Sequence, residues 1–513
     1  MPKPSHMLAP HAVVIGAGIA GLATALRLRA QGLDVTVVER HSWVGGKMRT
    51  VASDAGPIDA GPTVLTMRHV FDDLFQSAGT RLEDHVTLIP QPTLARHFWP
   101  DGSTLDLHSD PDKSSAAVHA FAGTEAAQQF EAFCAKAKRL YAAFDAPMMR
   151  SPKPTLANLT KHVLKHPSLI RDMAPLSSLA KSLARDFDDP RLAQLFARYA
   201  TYVGGLPQMS PAILSLIWQA EAAGVWVVQG GMHKLAEAIA ACFTSMGGTL
   251  RINCHTHSIE TDNGSVTGIK LQSGERLSCD CAVFAGDPRA LATGQLGPDV
   301  AHIAPQTKRL KRSLSARVHS FAATPRGPDL AHHNVFFDGD PKAEFQSLAQ
   351  GRVPEHRTLY ICAMDRGKGA APPPLERFEI ISNAPATHAD TDPQELETWH
   401  QSTLQTMAGF GLTFSPTPHT NSITTPQMFD AMFPASLGAL YGQTPHGMLA
   451  AFQRPTTQTP VNGLYLAGGG THPGAGVPMA TLSAQHAAEA IWNDLTSTST
   501  SARTATPGGM STA

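Results

Sequence analysis

The sequence predicts an α/β fold, and three observations carry that prediction. Near the start, an apolar strand runs into a glycine-rich turn, a helix and a second strand that ends in an acid (residues 12–40). Near the end, a strand enters another glycine-rich turn and a long helix (463–495). Between them, strand-forming texture resumes at 225–285 after a long helical stretch. At 513 residues the chain is too long for one core, so two domains are expected.

Ala12-Val13-Val14-Ile15 is a short apolar run suited to a strand buried on both faces. It passes into Gly16-Ala17-Gly18-Ile19-Ala20-Gly21 and an Ala/Leu-rich helix from Leu22 to Ala30, closed by Gly32. Asp34 to Val38 is the second strand, with Glu39 at its end and Arg40 beside it. Gly16 permits the tight turn, Gly18 lets the backbone approach a pyrophosphate, and Gly21 lets the helix pack closely on the strand. The free N–H groups and positive end of the helix then face the phosphates. Glu39 accepts hydrogen bonds from both hydroxyls of an adenosine ribose, and its charge repels a 2′-phosphate, which argues against NADP. Strand, turn, helix and acid together read as a Rossmann-type dinucleotide site.

Trp43-Val44-Gly45-Gly46-Lys47-Met48-Arg49 is a second glycine-bearing turn, with cations suited to the neighbourhood of phosphates. Asp59-Ala60-Gly61-Pro62-Thr63 is a further close-approach segment. From Asp110 to about Ala223 the texture is helical. Within it, Arg150 to Arg185 holds seven Lys/Arg residues and one acid, Asp172, interleaved with Leu156, Leu159, Val163, Leu164, Leu169 and Ile170. Such a stretch either lies on an anionic membrane surface or forms a solvated face over a core. Both readings stay open.

Val225 to Val228 reads as a strand, followed by Gly230-Gly231-Met232 and a helix from His233 to Met246. Strands are expected at 249–254, 265–271 and 276–285, then at 334–338, 358–363 and 377–381 within a mixed region, 295–445. Gly463 to Ala467 is a last strand, entering Gly468-Gly469-Gly470-Thr471-His472-Pro473-Gly474-Ala475-Gly476-Val477-Pro478 and a helix from Met479 to Leu495. The Thr/Ser/Ala/Gly tail cannot bury enough apolar surface and is expected to be disordered.

A formal charge of −1 gives no global field for nucleic acid. The cluster Lys308 to Arg312 has no aromatic platform and reads as a solvated helix end. Six scattered cysteines and twenty-four histidines show no metal spacing, so no metal is expected, and the thiols suit a reducing compartment. No apolar stretch approaches bilayer length, and the first ten residues lack the core of a signal peptide. A cytoplasmic protein is expected, peripherally associated with the inner or an intracytoplasmic membrane if the basic stretch lies on lipid.

Strand, glycine turn and helix thus stand at both chain ends. A two-part nucleotide such as FAD explains this better than NAD. One end of it occupies the first turn, and the other meets a late helix start whose positive end steadies a reduced flavin ring. The segments GAGIAG (16–21), GGKMRT (45–50), DAGPTVLT (59–66), GGM (230–232) and GLYLAGGGTHPGAGVP (463–478), with Glu39, resemble the carotenoid (phytoene) desaturase family, itself part of the flavin-containing amine oxidase group. The likeness runs from residue 11 to about 493. VTLIPQPTLARHFWPDGSTLDL (86–107), FDAPMMR (144–150) and HHNVFFDGDPKAEF (332–345) look most like the branch acting on 1-hydroxycarotenoids at the 3,4 bond, and less like phytoene desaturases.

The resemblance implies a Rossmann-type FAD domain of the amine oxidase/glutathione reductase kind, assembled from 11–109, 224–294 and 446–495. An inserted α+β substrate domain with a helical subdomain, 110–223 and 295–445, would carry the membrane-facing part and an apolar tunnel. Residues 1–10 and 496–513 would be disordered. FAD contacts are expected from Gly16, Gly18, Gly21, Glu39, Arg40, Gly45, Gly46, Lys47, Gly61, Pro62, Thr63, Thr256, Gly470, Gly474, Gly476, Val477, Pro478 and Met479. Thr471 stands where many relatives have an acid on the ribityl chain, and Thr256 where they have a valine whose backbone meets adenine.

The implied reaction removes two hydrogens from a long conjugated hydrocarbon. Its substrate is an acyclic hydroxycarotenoid, and oxygen or a quinone is the final acceptor. Thr471 and His472 are the polar residues expected beside the flavin ring, His472 as base, flavin partner or cap of the turn. Arg150, Arg198, Tyr199 and Tyr202 are candidates to meet the substrate hydroxyl. Two alternatives remain: phytoene or neurosporene desaturation within the same family, and a non-catalytic prenyl-lipid carrier on the same fold.

Overall fold

The computed structural model describes residues 9–503. At its centre is a five-stranded parallel sheet in the order Leu464–Leu466, Cys281–Phe284, His11–Ile15, Asp34–Val38, Thr249–Arg251. The strand His11–Ile15 sits in the middle, Val13 pairing with Ala282 on one side and Thr36 on the other. Successive side chains of a strand leave opposite faces, and the core divides accordingly. Ala12, Val14, Val35, Val37 and Val283 pack beneath the helices Ile19–Ala30, His233–Ser245 and Val477–Arg503. Val13, Ile15, Val38, Ala282 and Phe284 pack on the other side, against a three-stranded antiparallel sheet, Thr256–Asp262, Ser265–Leu271 and Arg276–Ser278.

The first helix begins at Ile19 and the last at Val477, each a few residues earlier than the sequence pattern suggests. The last helix continues to Arg503, so residues 496–503 are helical rather than part of a disordered tail. An anchored helix adds one hydrogen bond for each further residue, which outweighs the weak propensity of Thr and Ser. The remaining ends expected to be disordered, 1–8 and 504–513, lie outside the described residues.

A second, eight-stranded sheet carries Thr413–Ser415, Ser315–Arg326, Glu376–Ala384, Leu359–Ala363, His333–Phe336, Thr93–Phe98 and Thr104–His108 in that order, with Ile423–Thr424 also paired to Ser315–Arg326. Residues 93–108 therefore belong to this sheet and not to the first domain, where sequence reasoning placed them. The reason is a long-range parallel pairing of Asn334–Phe336 with Arg96–Phe98. Phe98, Phe336 and Phe378 fill one face. On the other, Val335 and Phe337 meet a helical layer built around Phe130, Phe133, Phe196, Tyr199 and Trp218.

Candidate functional site

A cavity of about 870 Å³ lies where the parallel sheet, the second sheet and the helical layer meet. Both glycine turns line it: Gly16 and Gly18 at one end of the chain, and Gly470, Gly474, Gly476, Val477, Pro478 and Met479 at the other. Its size is at the large end of the ~300–1,000 Å³ usual for small-molecule sites.

The first turn is fixed by Gly16 N–H donating to the Val38 carbonyl at 2.8 Å. The Gly45-Gly46 turn lies alongside it, with Gly45 N–H donating to the Ala17 carbonyl at 2.8 Å. A Cβ on Gly46 would stand 3.1 Å from the Gly18 Cα, so the two backbones meet at van der Waals distance. Gly21 is the one predicted cofactor residue away from the cavity wall. A Cβ there would come within 1.9 Å of the Gly16 carbonyl oxygen. It acts by letting the helix close on the turn.

No side chain caps the helix at Ile19, and its first backbone acceptance is Leu22 N–H to the Gly18 carbonyl. The N–H groups of Ile19 and Ala20, on the cavity wall, are among the orphans of that helix start. At the last helix the ladder begins with Ala480 N–H to the Gly476 carbonyl, after Val477 and Met479 on the wall. Glu39 is buried, accepting from Ala17 N–H at 2.7 Å and His41 N–H at 2.8 Å, one per oxygen. Each oxygen keeps a lone pair for a hydroxyl. Thr256 lies on the wall with its buried Oγ1 unpartnered. Two orphaned helix starts, a fixed carboxylate and that hydroxyl fit a dinucleotide with ribose and phosphate groups.

Arg40, Lys47, Gly61, Pro62 and Thr63 also lie on the wall. The Lys47 ammonium donates to the Leu440 carbonyl at 2.5 Å, and burial lowers its pKa to about 8. Arg49 turns away, donating to Thr424 at 2.6 Å. Thr63 Oγ1 and the Tyr360 hydroxyl are 2.7 Å apart, and that hydroxyl is 2.6 Å from His333 Nδ1.

Neither Thr471 nor His472 lines the cavity. The turn from Gly468 to Gly476 presents backbone to it, and these two side chains are buried in the protein behind. The His472 backbone N–H donates to the Pro455 carbonyl at 2.9 Å, and its Nε2 lies 2.8 Å from the Ser151 carbonyl. Burial lowers its pKa to about 4. Of the four candidates for the substrate hydroxyl, Arg198 and Tyr202 reach the wall. Tyr199 donates to Glu221 at 2.9 Å, and Arg150 is exposed and paired with Asp145 at 2.8 Å.

Sequence reasoning missed two contributors and the role of a third, Asp59, whose segment it had singled out. Ala285-Gly286-Asp287 follows a strand and lines the cavity; the signal was Asp287 before Pro288, an N-cap pair opening a short helix. Asp59 accepts from Met232 N–H at 2.6 Å and so ties the 59–66 segment to the 230–232 turn. Arg454 donates to the carbonyls of Gly469, Tyr441 and Gln443 at 2.7–3.2 Å, holding the late glycine turn; nothing local in the sequence marks it. Within the second sheet, His332, His333 and Cys362 bring ligand atoms within 4.8 Å of one another, a grouping their spacing did not suggest.

The model for flavin-containing amine oxidoreductases matches residues 19–492. The chain is 50% identical to a hydroxyneurosporene desaturase of Cereibacter sphaeroides over 494 residues, 96% of this chain and all of that one. It is 44% identical to the hydroxyneurosporene desaturase of Rubrivivax gelatinosus, covering 98% and 96% of the two chains. Among solved structures, an oxidoreductase from Methanosarcina mazei superimposes with a TM-score of 0.58 at 16% identity, covering 93% of this chain and 100% of that one. That last likeness speaks to the fold alone.

Proposed function

The chain belongs to the flavin-containing amine oxidoreductase family, and on that premise we infer an FAD-dependent desaturase that introduces the 3,4 double bond into acyclic 1-hydroxycarotenoids such as 1-hydroxyneurosporene. The observation that carries this reading is one cavity reached by both glycine turns and by an apolar helical wall, in a chain 44–50% identical to proteins of that name.

Bound FAD supplies an acceptor for a hydride from carbon. The substrate loses one hydrogen with its electron pair, and the neighbouring carbon loses a proton. The positive charge between the two losses is spread along the conjugated chain, so water or a weak base suffices for the proton. The protein's part is placement and exclusion of water. Glu39 would hold the adenosine ribose, the helix starts at Ile19 and Val477 would meet the negative parts of the nucleotide, and Gly61, Pro62 and Thr63 would line its path. Tyr141, Phe144, Met148, Leu159, Met173 and Ile213 give the polyene an apolar wall.

The same reading has the enzyme peripherally bound to a membrane, with oxygen or a quinone as final acceptor. No helix among the described residues is long and apolar enough to cross a bilayer. The helix Leu156–Lys165 supports surface contact: Leu159 lines the cavity, while Leu156 and Leu164 are exposed beside Lys161 and Lys165. Leu176, nearby in the chain, is fully exposed. Substrate would then pass from lipid into the cavity without crossing water.

The test is incubation of FAD-reconstituted protein with 1-hydroxyneurosporene and, separately, with phytoene. The expected result is a red shift from one added conjugated double bond in the first alone. Conversion of phytoene alone moves the protein to the earlier desaturation steps. Failure to take up FAD moves it to a carrier.

A further inference from the structure

Arg198 is buried to 7% exposure on the cavity wall, in a polar corner shared with Tyr202, Glu221 and Tyr360, and two of its guanidinium nitrogens, Nε and Nη2, are sealed from the cavity with no hydrogen-bond partner. Its carbon end stacks over Tyr202 at 5.0 Å and Tyr199 at 5.6 Å. Its counter-charge is Glu221, fully buried and held by the Tyr199 hydroxyl at 2.9 Å. A guanidinium kept from water is expensive, and it persists on a cavity wall where something else accepts from it.

What accepts is an uncharged oxygen, because Glu221 beside the guanidinium supplies its counter-charge. The location limits it further. Tyr360, which hydrogen-bonds Thr63 on the expected cofactor path, is an electrostatic neighbour of Arg198. An oxygen on carbon 1 of the polyene lies only three bonds from carbon 3, so its partner has to border the reacting end of the cavity. Arg150 does not line the cavity, and the Tyr199 hydroxyl is committed to Glu221.

We propose that Arg198, set by Glu221, Tyr199 and Tyr202, is the receptor for the tertiary hydroxyl of the substrate and selects hydroxylated over unmodified chain ends. This rests on the desaturase reading. An oxidised end can accept from the guanidinium where it meets the cavity, whereas a plain hydrocarbon end leaves that charge facing carbon. A site built around a substrate hydroxyl discriminates strongly against the analogue that lacks it. The reaction that supplies the substrate must therefore add water across, or otherwise hydroxylate, the terminal double bond.

The experiment compares kcat/KM for 1-hydroxyneurosporene and for neurosporene in the wild type, Arg198→Met and Arg198→Lys, with FAD content as the folding check. The wild type is expected to favour the hydroxylated chain. Arg198→Met should lower kcat/KM for that chain by about 100-fold and leave the unmodified chain unchanged or faster. Arg198→Lys keeps the charge and should give an intermediate loss, and it serves alone if the Met variant does not bind FAD. A selective wild type whose FAD-bound variants keep the same ratio overturns this inference and leaves the functional reading standing. Equal use of both chains by the wild type also overturns this inference alone, whereas no conversion of 1-hydroxyneurosporene by FAD-loaded protein overturns the functional reading.

Discussion

The imidazoles of His472 and His486 stack face to face, ring centroids 5.8 Å apart and planes 9° from parallel. One ring stands in the late glycine turn and the other on the last helix. His472 is bonded to the Ser151 carbonyl, so the stacked pair pins the start of the basic helical stretch to the nucleotide-binding half.

Both rings are held down to about 4, chiefly by burial, from an ordinary 6.5. The unfolded chain therefore takes up protons below about pH 6.5 that the folded protein refuses. Stability is full above that pH and falls as pH drops from 6.5 toward 4, by up to about 3 kcal/mol per ring. Chemical denaturation across this window should show a shallower slope in His472→Phe than in the wild type. If His472 anchors rather than catalyses, His472→Asn keeps kcat within tenfold of wild type, well short of the 10²–10⁴ lost with a general base.

Gly21→Ala should abolish FAD binding or folding. The added Cβ meets the Gly16 carbonyl oxygen at 1.9 Å, and neither backbone can move without opening the turn. The cost should exceed the ~1–3 kcal/mol of ordinary overpacking. Absence of the yellow flavin spectrum after reconstitution is the readout, with Gly409→Ala, where an added Cβ meets nothing within 4 Å, as the comparison.

Glu39→Ala removes the carboxylate that accepts from Ala17 and His41. Loss of charged hydrogen bonds worth ~1.5–3 kcal/mol should weaken FAD binding by about 10- to 100-fold in a fluorescence titration. Affinity within twofold of wild type would remove Glu39 from the ribose site.

Lys161→Glu with Lys165→Glu should release the protein from anionic vesicles. Each lysine near such a surface contributes ~1 kcal/mol, and reversal changes its sign. Co-sedimentation should fall by more than tenfold with the double change, while Leu164→Glu should reduce binding even to neutral vesicles. Binding unchanged in both variants places the membrane face elsewhere.

Residues 11–50 were legible because their constraints are local. Gly16 to Gly21 has to turn within six positions, and Glu39 has to end a strand that pairs beside it. The alternation of Val13, Val14 and Ile15 between two cores follows from the strand period. What stayed hidden depends on distant pairing or on side-chain direction. Arg96 meets Asn334 across the second sheet, and Arg454 reaches three carbonyls that only the folded chain assembles. His472 shares a turn with residues that face the cavity, but its ring goes the other way, a choice set by the backbone of that turn.

The most direct test is a single turnover without oxygen, mixing FAD-loaded protein with excess 1-hydroxyneurosporene in neutral vesicles. The account predicts bleaching of the yellow flavin band together with one new conjugated double bond per bound flavin. A flavin that stays oxidised while the polyene is left unchanged would contradict it.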